Sequence, residues 1–352
     1  MRIAYVCYGD AQRRNGVVAK IASQVAAWRA AGCDATIYLL TSAGDGRMLE
    51  GEVFPFDGAF ERVRSTRQLF GAVADQRFDL VYLRYDLFLP PPWRLARWAP
   101  TVVEVNSNAH AELAARSRLA AFYERAQRPP LFRRAAGIVY VSSELTGLVP
   151  PPPETPTRVI PNGVDLASVP VLPPSTDSGV RVVYMGDDVY WRGTDKIAEL
   201  ARAFPDWQFD LVGVARAPAA GNVTAHGFLS PDAYEPILAR ADFAIGTLAL
   251  HRIGLDEASP LKVVRYLAYG LPTVIAYDDS NLVGVDDWYI LRLPNSETNV
   301  RDNTGRIAAF ARAVKGRRIA RTEIADRIST AGKEAERLAF FEAVVSDSRR
   351  VS

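Results

Sequence analysis

Short apolar runs alternating with helical patterns restrict this chain to a narrow set of folds. Ile3–Tyr8 reads as a strand, and Gly16–Ala31 places Val18, Ile21, Val25 and Trp28 at spacings of three and four, one helix face. Gly32 ends that helix. Thr36–Leu40, Leu80–Leu83, Val102–Val105 and Ile138–Val141 follow as further strands. Continuous Val, Ile and Leu runs alternating with helices predict a parallel sheet covered on both faces.

The alternation stalls at Pro150–Pro153 and again at Pro170 and Pro173-Pro174, around a strand-like Arg158–Ile160. Such segments are extended and semi-rigid, so 150–175 reads as the end of one domain and the hinge to the next. Alternation then restarts, with strands at Val180–Met185, Phe209–Val212, Phe243–Ile245 and Thr273–Ala276. Helices are expected over Gly193–Phe204, Pro231–Ala239, Pro260–Tyr269 and most of Arg301–Ser346. The expected class is therefore α/β, with two Rossmann-like units in tandem. The length of 352 residues agrees, at roughly 150 residues per domain. Ligands of such units bind beyond the carboxyl ends of the strands, and two facing units suggest a cleft between them.

Composition excludes several classes. Hydrophobic residues make up 49% and charged residues 23%, which rules out wholesale disorder, collagen and coiled coil. The 42 basic residues nearly balance 40 acidic ones, so a general nucleic-acid binder is not expected. Cys7 and Cys33 read as buried, reduced thiols, and with three His and no Cys cluster no metal site is expected. No apolar run reaches the roughly 18 residues of a membrane span. The start, Met1–Val6, reads as a first strand rather than a signal peptide, so a cytoplasmic protein is expected. The Arg-rich Arg116–Arg134 reads as solvated helix faces, with peripheral contact to an anionic membrane surface as the alternative. Nothing in the sequence sets the oligomeric state.

The most informative stretch is Glu257–Pro272, EASPLKVVRYLAYGLP. Ser259 suits an N-cap and Pro260 the first helical position, while Gly270 and Pro272 end the helix. Leu261, Val264 and Ala268 would form the buried side, with Lys262, Arg265 and Tyr269 on another face. The free amides of Leu261, Lys262 and Val263 would form an anion site at the helix tip. Lys262 in a first turn opposes the helix dipole unless an anion or carboxylate is nearby. Glu257, just ahead of the amides, suits hydroxyls adjoining a phosphate, as in a sugar phosphate; capping the helix or pairing with Lys262 is the alternative.

A second anion site is expected in Gly186–Gly193, where Gly186 lets a ligand approach the backbone and Arg192 can donate two hydrogen bonds to a phosphate. A surface loop with a solvated Arg is the plainer alternative. Asp187-Asp188 reads as turn chemistry. The turn Tyr8–Gly16, YGDAQRRNG, lacks the dinucleotide fingerprint and the chain has no P-loop, but Asn15-Gly16 could supply amides at a helix start. No two of the 24 Asp residues have a single residue between them, so the D-x-D pair that commonly holds a metal–diphosphate complex is missing. His110, after strand Val102–Val105 and Asn106, is a candidate for a sugar-hydroxyl or leaving-group contact; His226 and His251 read as structural.

With these residues in view, the sequence resembles the retaining glycosyltransferases of family 4 (group 1), which have the GT-B fold. The resemblance is strongest from Val159 to Asp279. It rests on IPNGVD at Ile160–Asp165, on Asn222–Thr247, and on Glu257–Lys262 followed by Tyr266–Pro272. Asp79–Tyr85 and Val103–Asn106 add a weaker match in the first half. It implies GT-B architecture, with an acceptor-side domain at 1–160, a donor domain at 161–334, and a C-terminal helix of about 335–352 packing back on the first domain. It implies metal-independent retaining transfer from a nucleotide-diphosphate sugar, with no further cofactor, to a glycan, lipid-linked or small-molecule hydroxyl. Glu257 matches the first glutamate of the E-x7-E pattern, which contacts donor sugar hydroxyls. Ser259, Leu261 and Lys262 match the segment whose backbone holds the diphosphate and nucleoside. Arg192 stands where a phosphate-neutralising Lys is usual, and Gly16 matches the glycine turn of the other domain.

Two departures matter. The extra basic residue often seen beside the Lys of this phosphate loop is missing, and Asp187 and Asp188 occupy its neighbourhood. The second glutamate of E-x7-E falls on Arg265, and a guanidinium cannot accept the ribose hydroxyl hydrogen bonds that glutamate takes. Arg265 could serve a phosphate-rich or carboxylated donor, or pair with Glu257 or Asp188 in an empty site. The alternative function is thus a non-catalytic homologue acting as a binding or partner subunit.

Overall fold

The structure, a computed structural model, describes residues 1–9, 16–42 and 50–351. The chain divides into two compact units, Met1–Pro161 with Thr330–Ser352, and Asn162–Ser329.

In the first unit the strands are β1 (Arg2–Tyr8), β2 (Asp34–Thr41), β3 (Gly51–Pro55), β4 (Leu80–Arg84), β5 (Thr101–Val105), β6 (Gly137–Tyr140) and β7 (Thr157–Val159). They form one sheet in the order β3-β2-β1-β4-β5-β6-β7, with every pairing parallel. The helices are α1 (Gly16–Ala30), α2 (Gly58–Ala74), α3 (Ala109–Ala114), α4 (Arg118–Phe132) and α5 (Glu144–Leu148). The period of two along β1 sends Ile3, Tyr5 and Cys7 to one face of the sheet and Ala4 and Val6 to the other, and both faces are buried.

The second unit contains β8 (Arg181–Met185), β9 (Gln208–Val212), β10 (Val223–Gly227), β11 (Phe243–Ile245), β12 (Glu257–Ala258), β13 (Thr273–Ile275), β14 (Asp278–Asp279) and β15 (Ile290–Arg292). Its main sheet runs β10-β9-β8-β11-β13-β15, again all parallel, while β12 and β14 make a separate small ladder. Its helices are α6 (Thr194–Ala203), α7 (Pro231–Arg240), α8 (Leu261–Ala268), α9 (Thr304–Val314) and α10 (Arg321–Ile328). In both units the strand order reverses direction beside the first strand, at β1/β4 and at β8/β11. Crevices for ligands open at such switch points.

The last helix, α11 (Thr330–Val351), belongs to the first unit. Its Leu338, Phe341 and Val344 join the core with Trp28 and Tyr82. A buried polar network crosses the same region. Lys20 Nζ donates to Glu104 Oε1 at 2.9 Å and to Asn106 Oδ1 at 2.8 Å, Arg337 Nη1 lies 3.8 Å from Glu104, and Arg337 Nε pairs with Glu334 at 2.9 Å. Trp28 Nε1 donates to Glu334 at 2.8 Å. Burial alone would raise the Glu104 carboxyl; Lys20, Arg337 and Arg84 around it more than reverse that and hold it well below the usual range.

Three local expectations need correction. Ser259 does not cap α8: the residue before the first turn is Pro260, whose ring leaves no side-chain cap, and the Ser259 hydroxyl is used elsewhere. Leu261 is only half-buried, whereas Tyr269 is fully buried, because the helix is packed on more than one side. Cys33 is half-buried, since it lies in the turn between α1 and β2; Cys7 is buried and its thiol is pushed up to about 12 by that burial. The end of α8 follows its sequence signals: Gly270 takes φ +81°, its amide reaches Leu267 O at 3.0 Å, and Leu271 N reaches Tyr266 O at 2.9 Å.

Candidate functional site in the second unit

The carboxyl end of β8 runs into Gly186, whose φ of +144° is a conformation side chains rarely adopt. A Cβ there would lie 2.9 Å from Tyr184 Oη and 3.6 Å from Lys262 Nζ. The chain needs glycine because two side chains close over it. Tyr184 Oη donates to the Asp187 carbonyl at 2.9 Å, and the Asp188 carboxylate accepts from the Thr194 hydroxyl at the start of α6. Asp187 Oδ1 takes Arg192 Nε at 3.1 Å. The two aspartates thus stitch the loop, as the turn reading expects.

Lys262, in the first turn of α8, projects over the Tyr184 ring, with Nζ 4.1 Å from the centroid. Its Nζ is buried and has no hydrogen-bond partner. Burial first, and Arg192 next, hold this ammonium well below the usual lysine range, against the pull of Asp187. A buried cation left with only a ring face is costly unless an anion joins it. Among the described residues the Leu261 and Lys262 amides meet no acceptor, while Val263 N turns back to Pro260 O at 3.1 Å.

Just ahead of the tip, the β12–β14 ladder pairs Glu257 with Asp278 and Ala258 with Asp279. This sets Ser280 beside Glu257, and the Ser280 hydroxyl donates to Glu257 Oε1 at 2.7 Å. Glu257 makes no ion pair with Lys262, so one of the plainer alternatives for it falls. Ser259 is buried, and its hydroxyl accepts from Asn162 N at 2.8 Å and Asn281 Nδ2 at 3.1 Å. Asn162 Nδ2 donates back to Ser259 O at 2.5 Å. The segment Ile160–Asp165 and the segment Glu257–Lys262 are thereby joined physically. Arg265, one turn after Lys262, has a buried Nε without a partner, and it pairs with neither Glu257 nor Asp188.

The acceptor-side candidates lie in the first unit. Gly16 opens α1, while Asp10–Asn15 of the preceding turn, Asn15 included, lie outside the described residues. His110 sits in α3, whose N-cap Asn108 accepts from Ala111 N at 3.2 Å. Its Nδ1 lies 3.2 Å from Glu124 Oε2, and Glu124, buried on α4, also accepts from Tyr85 Oη at 2.6 Å. The ring is held from behind while its outer edge is partly exposed. His226 rests on Asp210 at 2.8 Å and His251 on Glu297 at 2.8 Å. Among the described residues no cluster of His, Cys, Asp and Glu could hold a metal, and no helix is long and apolar enough to cross a membrane.

Sequence reasoning missed Tyr184, Ser280 and Asn281. Tyr184 reads simply as a strand residue, and nothing around Ser280-Asn281 signals the small ladder that places them.

Two all-parallel Rossmann-like units with these strand orders are those of the GT-B fold. Three solved structures align over nearly the whole chain. A sucrose-phosphate synthase from Thermosynechococcus elongatus covers 100% of this chain and 98% of its own at 14% identity, TM-score 0.63. An Anabaena HepE protein in complex with UDP-glucose covers 96% and 99% at 13% identity, TM-score 0.65. The apo lipopolysaccharide outer core galactosyltransferase WaaB covers 99% and 100% at 10% identity, TM-score 0.64. No curated protein sequence matches this one significantly. Residues 15–163 match the glycosyl transferase 4-like domain, so the first unit carries that domain, and the likeness to the three solved structures extends over the whole chain as a shared fold.

Proposed function

We propose that the protein transfers a glycosyl group from a nucleotide-diphosphate sugar to a hydroxyl of a glycan, lipid-linked or small-molecule acceptor, with retention and without a metal. The observation that carries this reading is the buried Lys262 ammonium, without a hydrogen-bond partner, in the first turn of α8. A diphosphate seated there would accept from the Leu261 and Lys262 amides, from Lys262 Nζ, and from Arg192 once its hold on Asp187 is shared. Gly186 gives the phosphates backbone clearance. Glu257, steadied by Ser280, would accept hydroxyls of the attached sugar.

In the reaction the bond from the anomeric carbon to the diphosphate oxygen breaks, and a bond to the acceptor oxygen forms on the same face. The acceptor proton passes to the departing phosphate oxygen. The cationic tip stabilises the charge developing on the diphosphate. His110 is assigned an acceptor hydroxyl, and Gly16 a phosphate contact. Arg265 keeps a role beside the donor, as a donor of hydrogen bonds rather than an acceptor. The UDP-glucose bound to the HepE protein is of this donor class. The test is transfer or donor hydrolysis measured with uridine, guanosine and thymidine diphosphate sugars in the presence of a chelator. NMR of the product should show the donor's anomeric configuration; inversion, or turnover abolished by the chelator and restored by a divalent ion, would overturn the reading.

A further inference from the structure

We propose that the outward face of α4 docks the protein on an anionic lipid surface. Along this helix the exposed stripe is Arg118, Leu119, Phe122, Arg125 and, just past its end, Arg133. Leu119 is 78% exposed and Phe122 71%. A large apolar side chain at that exposure is unremarkable alone. Two of them one turn apart, set among arginines, make an amphipathic interfacial face.

The charge on this face has one sign. Glu124 is the single acid of α4, and it is turned inward, where it holds His110, Tyr85 and Arg128. Arg118 and Arg125 form no ion pair among the described residues. The inner face also keeps Gln127 and Leu131 buried, so the helix cannot roll to hide Leu119 and Phe122. The helix is fixed in place at its middle, where Tyr123 Oη donates to Phe88 O at 3.0 Å, and at its end, where Arg133 and Arg134 cap the carbonyls of Pro129 and Pro130. The same Leu87–Phe88 segment takes the Arg62 guanidinium of α2, two residues after Phe60, which is 85% exposed. A second apolar knob thus stands on a helix tied to the same anchor.

Anionic headgroups satisfy both features: arginines attract the negative surface and the apolar side chains enter the boundary below it. A nucleic acid would satisfy the arginines and leave Leu119 wet. A protein partner would be expected to offer acids and an apolar pocket, and the rest of this nearly neutral chain shows no reason for a second copy to do so. The inference does not depend on the donor chemistry proposed above.

The test is co-sedimentation of the full chain with vesicles of phosphatidylcholine alone and of phosphatidylcholine with phosphatidylglycerol. Binding is expected only to the second, falling as salt is added. L119E with F122E, and separately R118E with R125E, should each lower the bound fraction by roughly tenfold or more at fixed lipid. Both pairs replace exposed side chains, and an unchanged melting curve and unchanged donor binding would show that the fold is intact. Equal retention on neutral vesicles, undiminished binding by either variant, no binding at all, or α4-dependent capture of a DNA oligonucleotide or of a second copy instead of lipid would overturn the proposal.

Discussion

The Lys262 ammonium lies 4.1 Å from the centroid of the Tyr184 ring and has no hydrogen-bond acceptor. Its burial depresses its proton affinity well below that of an exposed lysine. Unfolding returns it to about 10.4, so between the two values the unfolded chain holds more protons and stability rises with pH. Lys262→Met should flatten that rise and raise stability at neutral pH by about 1–3 kcal/mol. Urea unfolding across the alkaline range checks both effects. The same substitution should cost nucleotide-diphosphate affinity, and wild-type binding should take up protons, seen as a dependence of the calorimetric enthalpy on buffer ionisation that is lost in the variant.

Glu257 is expected to act on the donor sugar itself, so Glu257→Gln should lower kcat/KM by roughly a hundredfold or more with the melting curve preserved. Ser280→Ala, which removes one hydrogen bond to the carboxylate and keeps the carboxylate itself, should cost only several-fold, about 1 kcal/mol. Steady-state rates of the two variants compared side by side decide the matter.

Gly186 cannot accept a Cβ: its φ is +144° and Tyr184 Oη stands 2.9 Å from where that atom would go. Gly186→Ala should destabilise the second unit by about 1–3 kcal/mol and displace the Tyr184–Lys262 pair, weakening diphosphate binding as well. Gly270→Ala, strained at φ +81° but one helix length from the tip, should lose stability with less effect on binding. Denaturant midpoints and nucleotide affinities measured on both variants separate the two outcomes.

In the first unit, Glu104 is buried between Lys20 and Arg337 and links β5 to the returning helix α11. Glu104→Gln leaves those cations uncompensated and should cost about 3–5 kcal/mol. The carboxylate's pKa is depressed in the fold, so its contribution is full above the ordinary carboxylate pKa of about 4.3 and fades as pH falls toward the folded value. Acid unfolding monitored by far-ultraviolet circular dichroism should therefore show a flatter pH dependence in the variant.

Most strands were legible because buried parallel strands are continuous apolar runs, as in Val102–Val105. β3, β10 and β15 were not, since Gly51–Pro55 is a half-exposed edge strand, Val223–Gly227 is buried only at Val223, and Ile290–Arg292 is three residues long. α2 escaped notice because its buried Leu69, Phe70 and Val73 are diluted by Arg64, Arg67 and Gln68. At the site, the Glu257–Pro272 stretch is readable because capping and turn residues punctuate it. Its neighbours are not: Ser280 and Asn281 reach Glu257 and Ser259 through a two-residue ladder that leaves no periodic mark. The role of Ser259 illustrates the limit, since a hydroxyl ahead of a helix reads as a cap until a second segment, Asn162, is seen to claim it.

The central claim is that a diphosphate completes the Lys262 pocket, and calorimetric titration of the intact protein with uridine, guanosine and thymidine diphosphates tests it most directly. At least one should bind, with proton uptake, and Lys262→Met should lose that binding while remaining folded. Absence of binding by all three to well-folded wild-type protein, or equal affinity in the methionine variant, would contradict the account.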